Sequence, residues 1–286
     1  MVGAMVRIRK AAMDGSTPAA TTGAAQRALS RHVFRVLFRA IGSILAQAMS
    51  VAQPEIAREV FGTPGDTDVV WAHGWGHARA NLAPLAHSLA PLGQHTLLDL
   101  PGFGDSPAPP EPWGTADYAR AVAAVLPGPV VWVGHSFGGK VGLMLAARRP
   151  DLVRGLVLIA SSGLKRRGRL WVRAKIAAFK VTKRVCPWAA GRFFGSSDYK
   201  NAGPMRATFV RVVNEDLAAE AAAVRCPTLL LYGQGDTETP PEIGRRLAAL
   251  IPRARLEILD GLDHYTVLTE GRHRIATRIK EFAACL

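Results

Sequence analysis

The tightest constraint on this chain lies between residues 130 and 139. Val130-Val-Trp-Val runs straight into Gly134-His-Ser136-Phe-Gly138-Gly139, and a helix-compatible stretch through Leu143, Leu145 and Ala147 follows. A β run, a Gly-x-Ser-x-Gly turn and a helix in immediate succession make a nucleophile elbow, a sharp strand-to-helix turn that holds the serine in a strained conformation with its hydroxyl exposed. Gly134 and Gly138 are needed there because a Cβ at either position would crowd the turn. Such a segment calls for a strand covered on both faces with a helix directly behind it, which is an α/β layer arrangement.

The rest of the chain fits that arrangement. Short β-rich runs at 69–72, 96–98, 130–133, 156–159, 228–232 and 255–259 alternate with helical stretches, and several are almost continuously apolar. The pattern predicts a mostly parallel, doubly wound sheet. Between Ser161 and about Ala223 the alternation stops, and helices rich in Lys, Arg and aromatic residues are expected as an inserted cap. With 286 residues and 49% hydrophobic content, the chain can bury one large core. The expected layout is a disordered leader over 1–30, a basic amphipathic helix within 31–55, and a single domain over 56–286 with the cap at about 161–223. No apolar run reaches the roughly 18 to 20 residues that cross a bilayer, so the body is read as soluble. Cys186, Cys226 and Cys285 are odd in number and widely spaced. They offer neither a disulfide framework nor a metal-ligand pattern, which favours a reducing, cytoplasmic setting.

A serine hydroxyl attacks well only when a base takes its proton, and the base must be held by a carboxylate. In a parallel sheet of this kind the three groups follow in the order Ser, acid, His, each at the C-terminal end of a strand. The run 228–232 leads into Gly233-Gln-Gly-Asp236, and the run 255–259 into Asp260-Gly-Leu-Asp-His264. Asp236 and His264 therefore fall where the topology needs them. Glu238, two residues past Asp236, is an alternative acid.

The ordered set His73-Gly-Trp-Gly76, Asp99-Leu-Pro-Gly-Phe-Gly-Asp-Ser106, Gly134-His-Ser-Phe-Gly138, Gly233-Gln-Gly-Asp236 and His264 resembles the α/β-hydrolase superfamily over about residues 69–286. The resemblance implies a Ser136-Asp236-His264 triad and an oxyanion hole built from the backbone N–H groups of Phe137 and Trp75. It implies hydrolysis of an ester or thioester through an acyl-enzyme, with no cofactor or metal. The same scaffold also hosts carbon–carbon bond hydrolases and other acyl-transfer or lyase activities, and a ligand-binding or docking protein with little turnover is the reading from a different class. Asp99 to Ser106 reads as a Gly/Pro-fixed structural loop. One departure stands out. The superfamily begins with a β-hairpin before the His-Gly strand, yet here only 57–61 and a Pro64-Gly-Asp turn precede it.

The net charge of +14 is unevenly placed. Residues 1–50 carry +6 and residues 163–216 carry +10, leaving −2 for the remainder. Basicity confined to two segments argues against a nucleic-acid-binding fold, which spreads it over its main face. Lys165, Arg166, Arg167, Arg169, Arg173, Lys175, Lys180, Lys183 and Arg184 are interleaved with Leu170, Trp171, Ile176 and Phe179. The plainer reading is an amphipathic lid over an acyl pocket. The sharper one is a docking surface for an anionic partner, an acyl carrier protein or a membrane surface. His73-Gly-Trp-Gly76 with a basic cap resembles the pimeloyl-carrier-protein methyl esterases, although the nucleophile's neighbourhood is general to the superfamily. In Arg31–Met49, Arg31, Arg35 and Arg39 oppose a Phe/Leu face. That segment is read as an appendage on the core, an over-extended start, a membrane-surface anchor or a targeting leader.

Overall fold

A computed structural model describes residues 55–65, 67–165 and 202–286. The 1–30 leader, the 31–55 helix apart from Glu55, and most of the basic cap lie outside the described residues.

Seven strands form one sheet: β1 (Arg58–Phe61), β2 (Val69–Ala72), β3 (His95–Leu98), β4 (Val130–His135), β5 (Val153–Ile159), β6 (Thr228–Gly233) and β7 (Ala254–Leu259). Their spatial order is β1-β3-β2-β4-β5-β6-β7. All neighbours are parallel except β1, which runs antiparallel to β3 with Arg58 opposite Leu98. The expected mostly parallel, doubly wound sheet is what the chain forms. Among the described residues a single edge strand, not a hairpin, precedes β2.

Because successive side chains of a strand point to opposite faces, each central strand feeds two cores. Val70, Val130, Trp132, Leu156, Leu158, Leu230 and Tyr232 enter one core. There they meet α2 (Thr115–Ala123), α3 (Phe137–Arg148), α5 (Ala218–Ala223) and α6 (Pro241–Leu250). Val69, Trp71, Val131, Val133, Val157, Ile159, Leu229 and Leu231 enter the other, against α1 (Ala83–His87) and α7 (Arg272–Ala283). Covering on both faces is why these strands read as unbroken apolar runs.

β3 and β4 extend past their apolar runs by a buried histidine that has a partner, His95 and His135. His95 opens β3, taking the Trp71 Nε1–H at 3.0 Å and lying 3.0 Å from the Leu89 carbonyl through its other nitrogen. The two ends of the inserted segment meet: the Leu217 N–H donates to the Gly163 carbonyl (2.8 Å), and the Lys165 N–H to Asp216 (3.1 Å). Leu217, Ala221 and Val224 then join the sheet's core, and α4 (Arg206–Val213) precedes them in the chain.

Candidate active site

Ser136 sits between β4 and α3 with φ 51° and ψ −109°, a conformation that costs a non-glycine residue of the order of 1–3 kcal/mol. The turn can close this tightly because glycine stands on either side of the serine. A Cβ on Gly134 would overlap the Gly138 carbonyl, and one on Gly138 would overlap that of Ala72. The Gly138 N–H donates to the His73 carbonyl (3.0 Å), locking the elbow to the end of β2.

The loops after β6 and β7 bring two further groups to this point. His264 Nε2 lies 3.1 Å from Ser136 Oγ, and His264 Nδ1 lies 2.8 Å from Asp236 Oδ2. Asp236 is buried, and its orientation is fixed by a tight turn. Its Oδ1 accepts the N–H groups of Glu238 and Thr239, both at 2.8 Å. The Thr239 hydroxyl lies 2.8 Å from Asp236 Oδ2 and 2.8 Å from the Ala160 carbonyl, tying the turn to the end of β5. Glu238 is not on the Nδ1 side: its carboxylate approaches Nε2 at 3.6 Å, with the side chain 42% exposed. The two candidate acids thus occupy opposite sides of the imidazole, and only Asp236 is placed to hold it from behind.

Trp75 and Phe137 flank the serine. A Cβ on Gly74 would come within 3.3 Å of the Ser136 Cβ, so the 73–76 turn packs directly on the elbow. Phe137 opens α3, and a first-turn amide has no acceptor within its own helix. The ring of Trp75 contacts Phe103, Phe137 and Phe209 at centroid distances of 4.9, 5.4 and 5.0 Å. Asp99 is spent on structure, accepting the N–H groups of Arg79 and Asp105 and the Arg79 guanidinium.

Several residues of the site carry no motif. Lys140, one turn past Ser136, is almost fully buried and donates to the carbonyls of Val212 and Glu215 at the end of α4, 3.8 Å from the Glu215 carboxylate. Burial pushes its pKa down to about 8, against the opposing pull of Glu215. Glu215 also accepts the N–H of Thr115, so Lys140 fastens α4, and with it Phe209, to the elbow helix. A lysine within an otherwise apolar helix was the only sequence signal for it.

His73 and His135 are buried and neutral. Burial lowers the pKa of His73 to about 4 and that of His135 to about 3. His73 Nδ1–H donates to the Gly74 carbonyl (2.7 Å) and Nε2 accepts the Leu100 N–H (3.0 Å). His135 Nε2–H donates to the His264 carbonyl (3.0 Å), so the residue before the serine steadies the histidine loop. Folded-state pKa values below the ordinary 6.5 mean that the unfolded chain binds more protons as pH falls from about 6.5 towards 4. Stability contributed by the neutral pair is therefore fully present above pH 6.5 and lost below it. At about 1.4 kcal/mol per pH unit for each histidine, acidification from pH 7 to 5 is expected to cost up to about 4 kcal/mol. Urea titrations at the two pH values measure it, and His135→Asn should remove about half of the difference. Equal stability at pH 7 and 5 would show that these histidines take protons without loss of packing.

The fold and this cluster define an α/β-hydrolase. The chain belongs to the alpha/beta hydrolase family, whose profile matches residues 69–278. It is 33% identical over 215 residues to a pimeloyl-[acyl-carrier protein] methyl ester esterase of Chromobacterium violaceum, covering 66% of this chain and 84% of the relative. The protein of the same name from Xylella fastidiosa is 27% identical over 246 residues, 76% of this chain and 95% of the relative. Among solved structures, the enol-lactonase of Burkholderia xenovorans superposes with a TM-score of 0.63 at 22% identity, covering 82% of this chain and 98% of that one, a likeness of fold. The family and these relatives support an ester hydrolase acting on an acyl substrate. Among the described residues no helix is long and apolar enough to cross a membrane.

Proposed function

We propose that Ser136, His264 and Asp236 are the catalytic triad of a serine ester hydrolase that works through an acyl-enzyme. Ser136 Oγ attacks the ester carbonyl as His264 Nε2 takes its proton. Asp236 keeps the other imidazole proton on Nδ1 and stabilises the imidazolium. The N–H groups of Phe137 and Trp75 receive the oxyanion, where each donor is worth about 2.7–4 kcal/mol in comparable sites. Nε2 then returns the proton to the departing alcohol, and water releases the acyl group by the same steps. The observation that carries this reading is the line from Ser136 Oγ through both imidazole nitrogens to Asp236, at 3.1 and 2.8 Å, on a strained elbow. A fluorophosphonate is expected to label the native protein at Ser136 alone. Labelling that survives Ser136→Ala would place the nucleophile elsewhere.

The acyl group is proposed to arrive on an anionic carrier, an acyl carrier protein. The named substrate of the relatives supports this, as does the +10 carried by residues 163–216. Neutralising Lys165, Arg166, Arg167 and Arg169 together is expected to weaken carrier-protein binding about tenfold at low salt, with the difference shrinking as salt screens the parent protein. Titration by fluorescence anisotropy measures it. Binding of anionic vesicles but not of the carrier protein would instead make the basic segment a membrane-facing surface.

A further inference from the structure

We infer that Glu238 selects the leaving group: its carboxylate, fixed beside His264 Nε2 by Tyr265, disfavours esters whose alcohol is anionic and favours those whose alcohol is cationic. The inference rests on the roles proposed for Ser136 and His264.

In that reaction the departing oxygen must come within about 3 Å of Nε2 to receive its proton. Glu238 Oε2 is 3.6 Å from the same nitrogen, so the first atoms of any alcohol pass close to this carboxylate. Glu238 is held there from two directions. Its N–H is bonded to Asp236 Oδ1, and its Oε1 accepts the Tyr265 hydroxyl at 2.8 Å. Tyr265 in turn stands edge-on to the His264 ring, at a centroid distance of 5.2 Å and an interplanar angle of 90°. Among the described residues, no lysine or arginine forms an ion pair with Glu238; the titratable group beside it is the His264 imidazole. Its negative charge therefore faces the mouth of the site on the side where the alcohol leaves. The rings around Trp75 carry no formal charge.

The chain as a whole is strongly cationic and draws anions towards it. A carboxylate beside the proton-transfer atom opposes that field over a few ångströms. An anionic carrier is thus attracted at long range, while an anionic alcohol is rejected at the reacting bond. Neutral alcohols, methanol among them, pass between these limits.

The test uses butyrate esters of choline, ethanol and glycolate. Dividing the choline-to-glycolate ratio of kcat/KM in the native protein by the same ratio in Glu238→Gln cancels both intrinsic ester reactivity and the amount of active enzyme. A quotient of about ten is expected, as for a pair of partly exposed charges a few ångströms apart. Glu238→Lys should move the ratio further in the same direction. The quotient should also shrink between 20 mM and 500 mM salt, the charge of the rest of the chain cancelling between the two proteins. A quotient within twofold of one at low salt, or one indifferent to salt, overturns the inference. Ser136→Ala separates this outcome from a failure of the underlying reading. If that variant hydrolyses all three esters like the native protein, the proposed triad is wrong; if it hydrolyses none and the quotient is still one, only the role of Glu238 is wrong.

Discussion

Replacing Ser136 with alanine is expected to lower ester turnover about a millionfold while the protein stays folded. The substitution keeps the Cβ, so the strained turn, the bond from Gly138 to His73 and the packing against Gly74 are unchanged. What it removes is the oxygen 3.1 Å from His264 Nε2, the one atom of the elbow placed to form an acyl-enzyme. His264→Ala should cost about as much, because a hydroxyl without a base is as ineffective as a base without a hydroxyl. The double variant should then lose little beyond either single one, since the members act as a unit. Steady-state hydrolysis of a short neutral ester, with thermal melts alongside, measures both. A loss below a hundredfold in Ser136→Ala, with an unchanged melt, would mean that another group attacks. Residual activity above water is expected even then from the oxyanion donors and from binding, which neither substitution touches.

The residues of the candidate site were legible in the sequence because each has a local signature. An elbow needs glycines on both sides of its serine for steric reasons that operate within five residues. Asp236 and His264 follow the last two strand runs because those strands end at the same edge of the sheet. Strand boundaries were less legible where polar residues fall within the strands. β5 begins at Val153, ahead of the apolar run, and carries Arg154 as an extra residue between the pairs Val130–Val153 and Val131–Gly155. His95 opens β3 for a reason invisible in one dimension, its bond to Trp71 from the neighbouring strand.

Contacts made between distant segments were not legible at all. Phe209 against Trp75, and Lys140 against the end of α4, join residues 134 and 72 positions apart. Neither pair has a periodicity or spacing that marks it. The choice between Asp236 and Glu238 was undecidable for a related reason. Both lie on one short turn after β6, and their sequence positions say nothing about which side of the imidazole each faces. The turn's own hydrogen bonds separate the two, folding the chain around the Asp236 carboxylate and sending Glu238 outward.

That geometry gives the second large effect. Asp236→Asn is expected to lower turnover at neutral pH about ten-thousandfold, with the fold intact. Oδ1 is held by two backbone N–H donors, from Glu238 and Thr239, at 2.8 Å each. An asparagine must keep its carbonyl oxygen there, because an NH2 group would set donor against donor twice. The NH2 group is then forced into the place of Oδ2, 2.8 Å from His264 Nδ1. A donor in that position makes Nδ1 the acceptor and moves the imidazole proton to Nε2, the nitrogen that faces Ser136. Nε2–H cannot take the serine proton, so the nucleophile stays a hydroxyl although every heavy atom is in place. Glu238→Gln makes the contrasting case, since it alters a partly exposed side chain beyond Nε2 and leaves the tautomer to Asp236. It should cost no more than about tenfold on a neutral ester, the scale of one exposed charge. Measuring kcat for both variants on the same ester decides the assignment. If Glu238→Gln suffers the ten-thousandfold loss and Asp236→Asn stays within tenfold, the histidine takes its orientation from the rim of the site and not from the buried turn.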